Sequence, residues 1–440
     1  MSYNFYEVVL LIILTISLVV KIPLSFINKG VMLLVLFIII TPVDVTDLVQ
    51  LNWETYIKVM CLIFGYVFIN YSNNNSLSSH QVLVLCVILA SCVMVSTHNL
   101  LALYLCLELQ SLSIYILIAR KRNSVIKVEA SLKYFVLSSI SSGLFLLGAA
   151  LIYAGTGSCD YLPLSSIALT PEKSLIVVAL LFKLAASPFH FWIPDVYQGS
   201  DNITLLTLGV LPKVSIFGVL VFLFPHNKLI ALATVMSLIV GSVGAINQSR
   251  FNRLLAYSSI LGMGFILLGL SSESNMGIEG SLIYLIIYLL TFSTIIMVSQ
   301  NLNKENSLII EVSNFLVYNK AALIVFALSI LSIAGIPPLG GFLAKWFILS
   351  SVINQKFILL PIIAIICAVI AGVYYLRLVK IAYFEYDKTF LMWQKVLLHT
   401  ENKPNRADVA IGVISYFIIF LLVLPKVLLQ FTHYGAISLF

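Results

Sequence analysis

The sequence predicts an all-α fold: a polytopic bundle of about fourteen transmembrane helices, arranged as two inverted five-helix repeats in which helices seven and twelve are broken. Three observations lead there. The 440 residues are 61% apolar and only 10% charged, with a mean hydropathy of +1.07, whereas about a quarter of a soluble domain is charged. Apolar segments of about 20 residues, the length that crosses a hydrocarbon core, recur from end to end with short polar breaks. Two of these segments are interrupted by proline, the second also by glycine.

In order, the segments run 5–20, 30–43, 55–71, 81–97, 99–119, 131–154, 174–193, 202–224, 229–247, 254–270, 280–300, 321–351, 358–384 and 408–430. Residues 1–80 hold three leading helices, 81–224 the first repeat and 229–384 the second. The remainder, 385–440, adds an amphipathic stretch at 387–407, suited to lying along the membrane surface, and a last helix. The whole reads as one membrane domain without a soluble part. Met1 to Glu7 leads directly into the first segment with no cleavage site or Arg-rich transit pattern, so insertion at the site of synthesis is expected.

Segment seven reads LLFKLAASPFHFWIPDVYQG, with Pro188 and Pro194; segment twelve reads LSIAGIPPLGGFLAKWFILS, with Pro337, Pro338, Gly340 and Gly341. Proline removes a backbone donor and crowds the carbonyl four residues earlier, which frees polar backbone at membrane depth. The two segments are an odd number of crossings apart and so run in opposite directions. That is what inverted repeats require, and interrupted helices in matching positions mark a transport pathway. Simple kinks are the alternative; the lysine beside each break weighs against it.

The net charge of +7 is accounted for by topology rather than by a nucleic-acid partner. Sixteen lysines and arginines fall in one set of alternate loops and five in the other, the latter including Lys58. This positive-inside pattern puts the basic loops on the matrix or cytoplasmic side and both termini opposite it. The six cysteines lie mostly within apolar segments without paired spacing, which reads as packing and not as a disulfide or metal set.

Five charges lie inside apolar segments: Glu108, Lys133, Lys183, Lys213 and Lys345. At the centre of a bilayer each costs roughly 2.5–3.5 kcal/mol, which calls for a function. Lys183 precedes Pro188 by five residues, Lys345 follows the Pro337–Pro338 break, and Lys213 follows Pro212 in the next segment. Glu108 is the one carboxylate deep in a segment. If it meets Lys183 at about 4 Å, the pair gains on the order of 4 kcal/mol at an effective dielectric of about 20. Separating such partners changes their proton affinities, so the pair can act as a proton switch. Lysine suits the task because its proton is removable when buried, unlike that of arginine. Lys133, one turn past a basic loop, is either a relay member or a snorkelling structural charge. His190 is either a relay or a partner of freed backbone. Asp195 and Tyr197 read as a cap or loop anchor, and SSISSG (138–143) as a close helix contact.

Together, LELQSLSIYIL, FKLAASPFHFWIPDVYQG, LLAYSSILGMGF and SIAGIPPLGGFLAKWF resemble the antiporter-like membrane subunits of proton-pumping NADH:ubiquinone oxidoreductase, respiratory complex I. PFHFWIPDVYQG is similar to the subunit 2 branch; sister branches usually carry Asp-Ala-His there. The resemblance spans about Leu100 to Lys380 and implies fourteen helices with a polar axis at the membrane midplane. It implies that Glu108 and Lys183 form the family's ion pair, with Lys133 nearby, that Lys213 is the central relay lysine, and that Lys345 is the lysine of the second broken helix. The sequence departs at Ser200–Asp201, where Ala-Pro is usual, and at Gly262, where a histidine is often found.

The expectation is a proton-translocating subunit driven by redox chemistry elsewhere. This chain is expected to hold no cofactor or metal; NADH, FMN, iron–sulfur clusters and ubiquinone belong to the complex. Its partners are other membrane subunits of the complex and lipids, with no nucleic acid. Its place is the mitochondrial inner membrane, or alternatively a bacterial cytoplasmic membrane. A multisubunit cation/proton antiporter subunit and a non-pumping scaffold are the competing readings.

Overall fold

A computed structural model describes residues 53–71, 78–120, 124–161, 171–223, 228–299, 308–314, 320–337, 339–384, 411–418 and 425–439. The segments at 5–20 and 30–43 and the stretch at 387–407 lie outside the described residues.

The described chain is helical, with only two isolated bridges, Asn99–Asp160 and Arg250–Leu308, among the described residues. The helices are α1 (Trp53–Tyr71), α2 (Ser78–Ser96), α3 (Leu100–Ile118), α4 (Val125–Thr156), α5 (Pro171–Leu184), α6 (Ile193–Gly199), α7 (Asn202–Leu223), α8 (Lys228–Ile246), α9 (Phe251–Leu270), α10 (Asn275–Ser299), α11 (Lys320–Ala334), α12 (Gly340–Asn354), α13 (Leu359–Phe384) and α14 (Pro425–Ile437). A 3-10 turn covers Ile309–Asn314. Each apolar segment from the third to the thirteenth coincides with a helix or, at the two breaks, a helix pair. The last is helical over 411–418 and again in α14, where Pro425 stands at the start, its missing N–H costing no hydrogen bond, and α14 continues past the expected end at 430.

Among the described residues, α3, α4, α7, α8, α9, α10 and α13 are long and apolar enough to span a membrane. The broken segments are not. At 1.5 Å per residue, the 14 residues of α5 reach about 21 Å, short of a core about 30 Å thick.

The chain divides into two compact units. One comprises 1–185, 203–229 and 431–440; the other comprises 186–202 and 230–430. In the first, α7 is buried nearly all round and forms the centre, while α4 leaves much of its apolar surface outward. Gly218 of α7 lets Ile57 of α1 approach closely, and the Trp53 indole N–H donates to the Gly218 carbonyl at 3.1 Å. The α2–α3 turn is pinned by Asn99, whose side chain accepts from Leu101 N–H at 2.9 Å and donates to Asp160 at 3.0 Å. In the second unit, α9 and α10 are the buried centre, and α13 faces outward over most of its length.

SSISSG meets the expected close contact only in part. A side chain at Gly143 would enter open space, and it is Gly148, one turn on, that presses against Ile176 of α5. The Ser138 and Ser141 hydroxyls donate to carbonyls of their own helix, as do those of Ser258, Ser259, Ser281 and Ser329.

Candidate functional site

The first break begins where α5 ends. Ala185 takes the left-handed conformation (φ +57°), which costs an alanine about 1–2 kcal/mol, and the chain turns through 186–192 before α6. The second break begins the same way after α11, with Gly335 at φ +82°, a conformation glycine accepts freely. Where α12 returns, Gly341 lies directly on the Ser332 carbonyl, so that even a methyl side chain would collide with backbone. The Gly341 N–H donates to the Ser332 hydroxyl at 3.2 Å.

Lys345 lies one turn into α12 and is 7% exposed. Its Nζ donates to the Ala334 carbonyl at 2.8 Å, the orphaned end of α11, and stands 5.2 Å from the centre of the Phe265 ring. The chain lies so close here that a Cβ on Gly335 would sit 2.9 Å from the ammonium. Lys345 therefore satisfies backbone freed by the break.

Lys183 behaves differently. Its Nζ is buried without a hydrogen-bond partner among the described residues, although it precedes a break as Lys345 follows one. The charge of Glu108 acts on Lys183 and on Tyr134, yet Glu108 and Lys183 form no ion pair within 4.0 Å among the described residues. The Glu108 carboxylate instead has the Ser111 hydroxyl at 3.5 Å. The two charges feel each other across a gap, and Glu108 is only half-buried.

Lys213, on α7, is 4% exposed. Pro212 beside it removes the donor that would meet the Leu208 carbonyl. Two residues on, Ser215 accepts from the Gln110 amide at 3.3 Å, joining α7 to α3. Lys133 stands apart: it is 40% exposed and pairs with Glu129, one turn earlier, at 2.6 Å. His190 lies in the second unit, in the break before α6; it is 9% exposed and its Nδ1 lacks a partner among the described residues. Asp195 anchors α6 to α9 through Arg253 at 2.7 Å.

Several polar residues here were not singled out as site residues from the sequence. Lys58, counted with the loop residues, is buried within α1 at 2% exposure, 4.0 Å from Glu54. In the second unit, Tyr197, read from the sequence as a cap or loop anchor, is 1% exposed and lies near Ser259, as does Tyr288. Tyr374 and Tyr375 join from α13, the latter with Ser258. The hydroxyls of Tyr197, Tyr374 and Tyr375 are buried without a hydrogen-bond partner within reach among the described residues. At Gly262 the Tyr288 ring occupies the space, 3.0 Å from where a Cβ would be. A small cavity lined by Tyr284, Tyr288, Thr291, Ser332 and Gly341 lies against the second break. At the other departure, the Ser200 hydroxyl closes α6 onto the Val196 carbonyl and α7 starts at Asn202.

Residues 97–371 match the family described as the transmembrane region of NADH:quinone oxidoreductases and Mrp antiporters. The chain belongs to this family. As a member of the NADH:quinone oxidoreductase/Mrp antiporter family it is 43% identical to NADH-ubiquinone oxidoreductase chain 2 of Metridium senile, over 82% of this chain and 97% of that one. It is 37% identical to NADH-quinone oxidoreductase subunit N of Pelagibacter ubique, over 78% and 79%. The family fold is shared with a chain of respiratory complex I from Thermus thermophilus, at a TM-score of 0.82 and 23% identity over 97% of this chain and 98% of that one. A chain of the Mrp complex from Dietzia matches with a TM-score of 0.72 at 17% identity, over 99% and 93%.

Proposed function

We propose that this chain is an antiporter-like, proton-translocating membrane subunit of NADH:ubiquinone oxidoreductase. The observation that carries the proposal is the burial of three lysines, Lys183, Lys213 and Lys345, each beside a proline or glycine interruption of an apolar helix. Such charges are expensive at membrane depth and suit a removable proton. Glu108 modulates Lys183 across the gap, and His190 supplies a further titratable ring at the first break. Lys133, paired with its own carboxylate, is read as a structural charge outside the relay. The relatives named as oxidoreductase subunits point to the enzyme in which the chain works.

Redox chemistry, with its NADH, flavin, iron–sulfur clusters and ubiquinone, takes place in other subunits of the assembly, and the chain converts their movements into proton transfer. Those other membrane subunits are its partners. Residues 81–224 and 229–384 serve as two inverted repeats within one membrane domain. The relative from Metridium senile favours the mitochondrial inner membrane, and the basic loops favour termini opposite the matrix. The second reading, a cation/proton antiporter subunit, draws on the family's Mrp members and on the Dietzia match.

The test is the number of protons moved per NADH oxidised by assembled enzyme in sealed vesicles, comparing wild type with Lys213→Met. A lower yield, or stalled oxidation, is expected. Unchanged yield at unchanged turnover overturns the proposal, and sodium-dependent exchange by the chain would establish the second reading.

A further inference from the structure

Lys58 is a buried charge that neither broken helix explains. Glu54, one turn earlier on α1, stands between two side chains: its Oε2 is 4.0 Å from Lys58 Nζ, and its Oε1 is 3.7 Å from Nε2 of His98 in the α2–α3 turn. The Lys58 side chain is 2% exposed and the His98 side chain 71%. One carboxylate thus touches both a buried ammonium and an imidazole open to the surroundings.

Beside Glu54 lies a cavity with about 10 Å³ open to the centre of a water molecule, close to the room one water needs. Its polar lining comes from Glu54, Thr97 and Tyr161, whose two hydroxyls are 3.2 Å apart. Burial holds the Tyr161 phenol above its ordinary value, so it stays a neutral hydroxyl able both to donate and to accept. The remaining wall includes Gly218 and Phe222 of α7. These lie five and nine residues beyond Lys213 on the same helix, about 7.5 and 13.5 Å along its axis. Between them and Lys213, Ser215 and Gln110 meet at 3.3 Å. Two polar contacts mark α7 between Lys213 and the end of the unit where Asn99 and Asp160 join, Gln110 on Ser215 and the Trp53 indole N–H on the Gly218 carbonyl. That end is opposite Arg120 and Lys127, hence opposite the basic loops.

We infer that Glu54, held by Lys58 and opening onto His98, is a proton-release station at the outward end of the first unit. A proton arriving from the Lys213 side binds a Glu54 carboxylate oxygen by way of water in the cavity. It then passes to His98 Nε2, and the proton on the other ring nitrogen leaves to water. Glu54 regains its charge and its attraction to Lys58, and His98, left protonated on Nε2, returns to its starting tautomer by exchanging ring protons with the water it faces, which resets the station. The inference rests on the proton-pumping reading above.

The experiment uses the assembled enzyme in sealed vesicles and measures protons per NADH for Glu54→Gln, Glu54→Asp, His98→Gln and Lys213→Met. Assembly is checked on native gels. Glu54→Gln and His98→Gln are expected to lower the yield by the same share as Lys213→Met, while Glu54→Asp retains it. If Lys213→Met lowers the yield and the Glu54 and His98 variants do not, the release station is overturned and pumping stands. If none lowers it, both fall. Should Glu54→Gln reduce assembly, His98→Gln decides, because that side chain is exposed and lies outside the helices: a lowered yield supports the station and an unchanged one overturns it.

Discussion

The Lys345 ammonium reaches back across the second break to the Ala334 carbonyl, 2.8 Å away, and so binds the two halves of an interrupted helix by a single charged contact. The glycine between them, Gly335, leaves no room for a side chain beside that ammonium.

Gly335→Ala is therefore expected to act twice. The left-handed backbone costs about 1–2 kcal/mol, and the new methyl displaces the ammonium from Ala334. Proton yield should fall toward that of Lys345→Met, with a lower midpoint of heat inactivation. A yield equal to wild type would show that the Lys345–Ala334 contact is dispensable.

Gly341→Ala meets backbone, which cannot swing aside as a side chain can. Overpacking of this kind costs about 1–3 kcal/mol where neighbours adapt, and the Ser332 carbonyl has little freedom to do so. The amount of assembled subunit in membranes, measured by immunoblot, should drop several-fold.

The buried tyrosines offer a cleaner separation of stability from function. A buried hydroxyl that closes no hydrogen bond contributes little to folding, and its removal is close to neutral. Tyr197→Phe and Tyr375→Phe should assemble normally. If the hydroxyls carry protons near the second break, proton yield falls while NADH oxidation persists; equal yields would assign them to packing.

Lys133 and Glu129 form a partly exposed pair one helical turn apart, the kind worth about 0–1 kcal/mol. Lys133→Met is expected to leave both assembly and proton yield near wild type. A loss matching that of Lys213→Met would return Lys133 to the relay.

Much of this architecture was legible in the sequence because the bilayer imposes a length: any run of about 20 apolar residues announces a crossing. Lys183, Lys213 and Lys345 stood out for the same reason, as charges amid Leu and Val. Lys58 escaped notice because it lies near the start of its segment, where a lysine reads as a loop charge, and only the fold shows it enclosed. The tyrosine cluster was harder still. A tyrosine in an apolar helix looks like packing, and the convergence of α6, α9, α10 and α13 on one another is a tertiary fact. The gap between Glu108 and Lys183 was equally hidden, since sequence can suggest partners but not the few ångströms that decide between an ion pair and a remote influence.

The serine and threonine hydroxyls that turn back onto their own helices carry one more implication. A hydroxyl whose proton is committed to its own coil reaches the next only as an acceptor, as Ser215 does toward Gln110, so cohesion here is largely a matter of surface relief, with glycine hollows receiving isoleucine and tyrosine. Such an assembly tolerates the loss of many hydroxyls yet is intolerant of one added methyl, and its tightest tolerances fall where Gly341 meets the Ser332 carbonyl and Gly277 meets the Gly269 carbonyl.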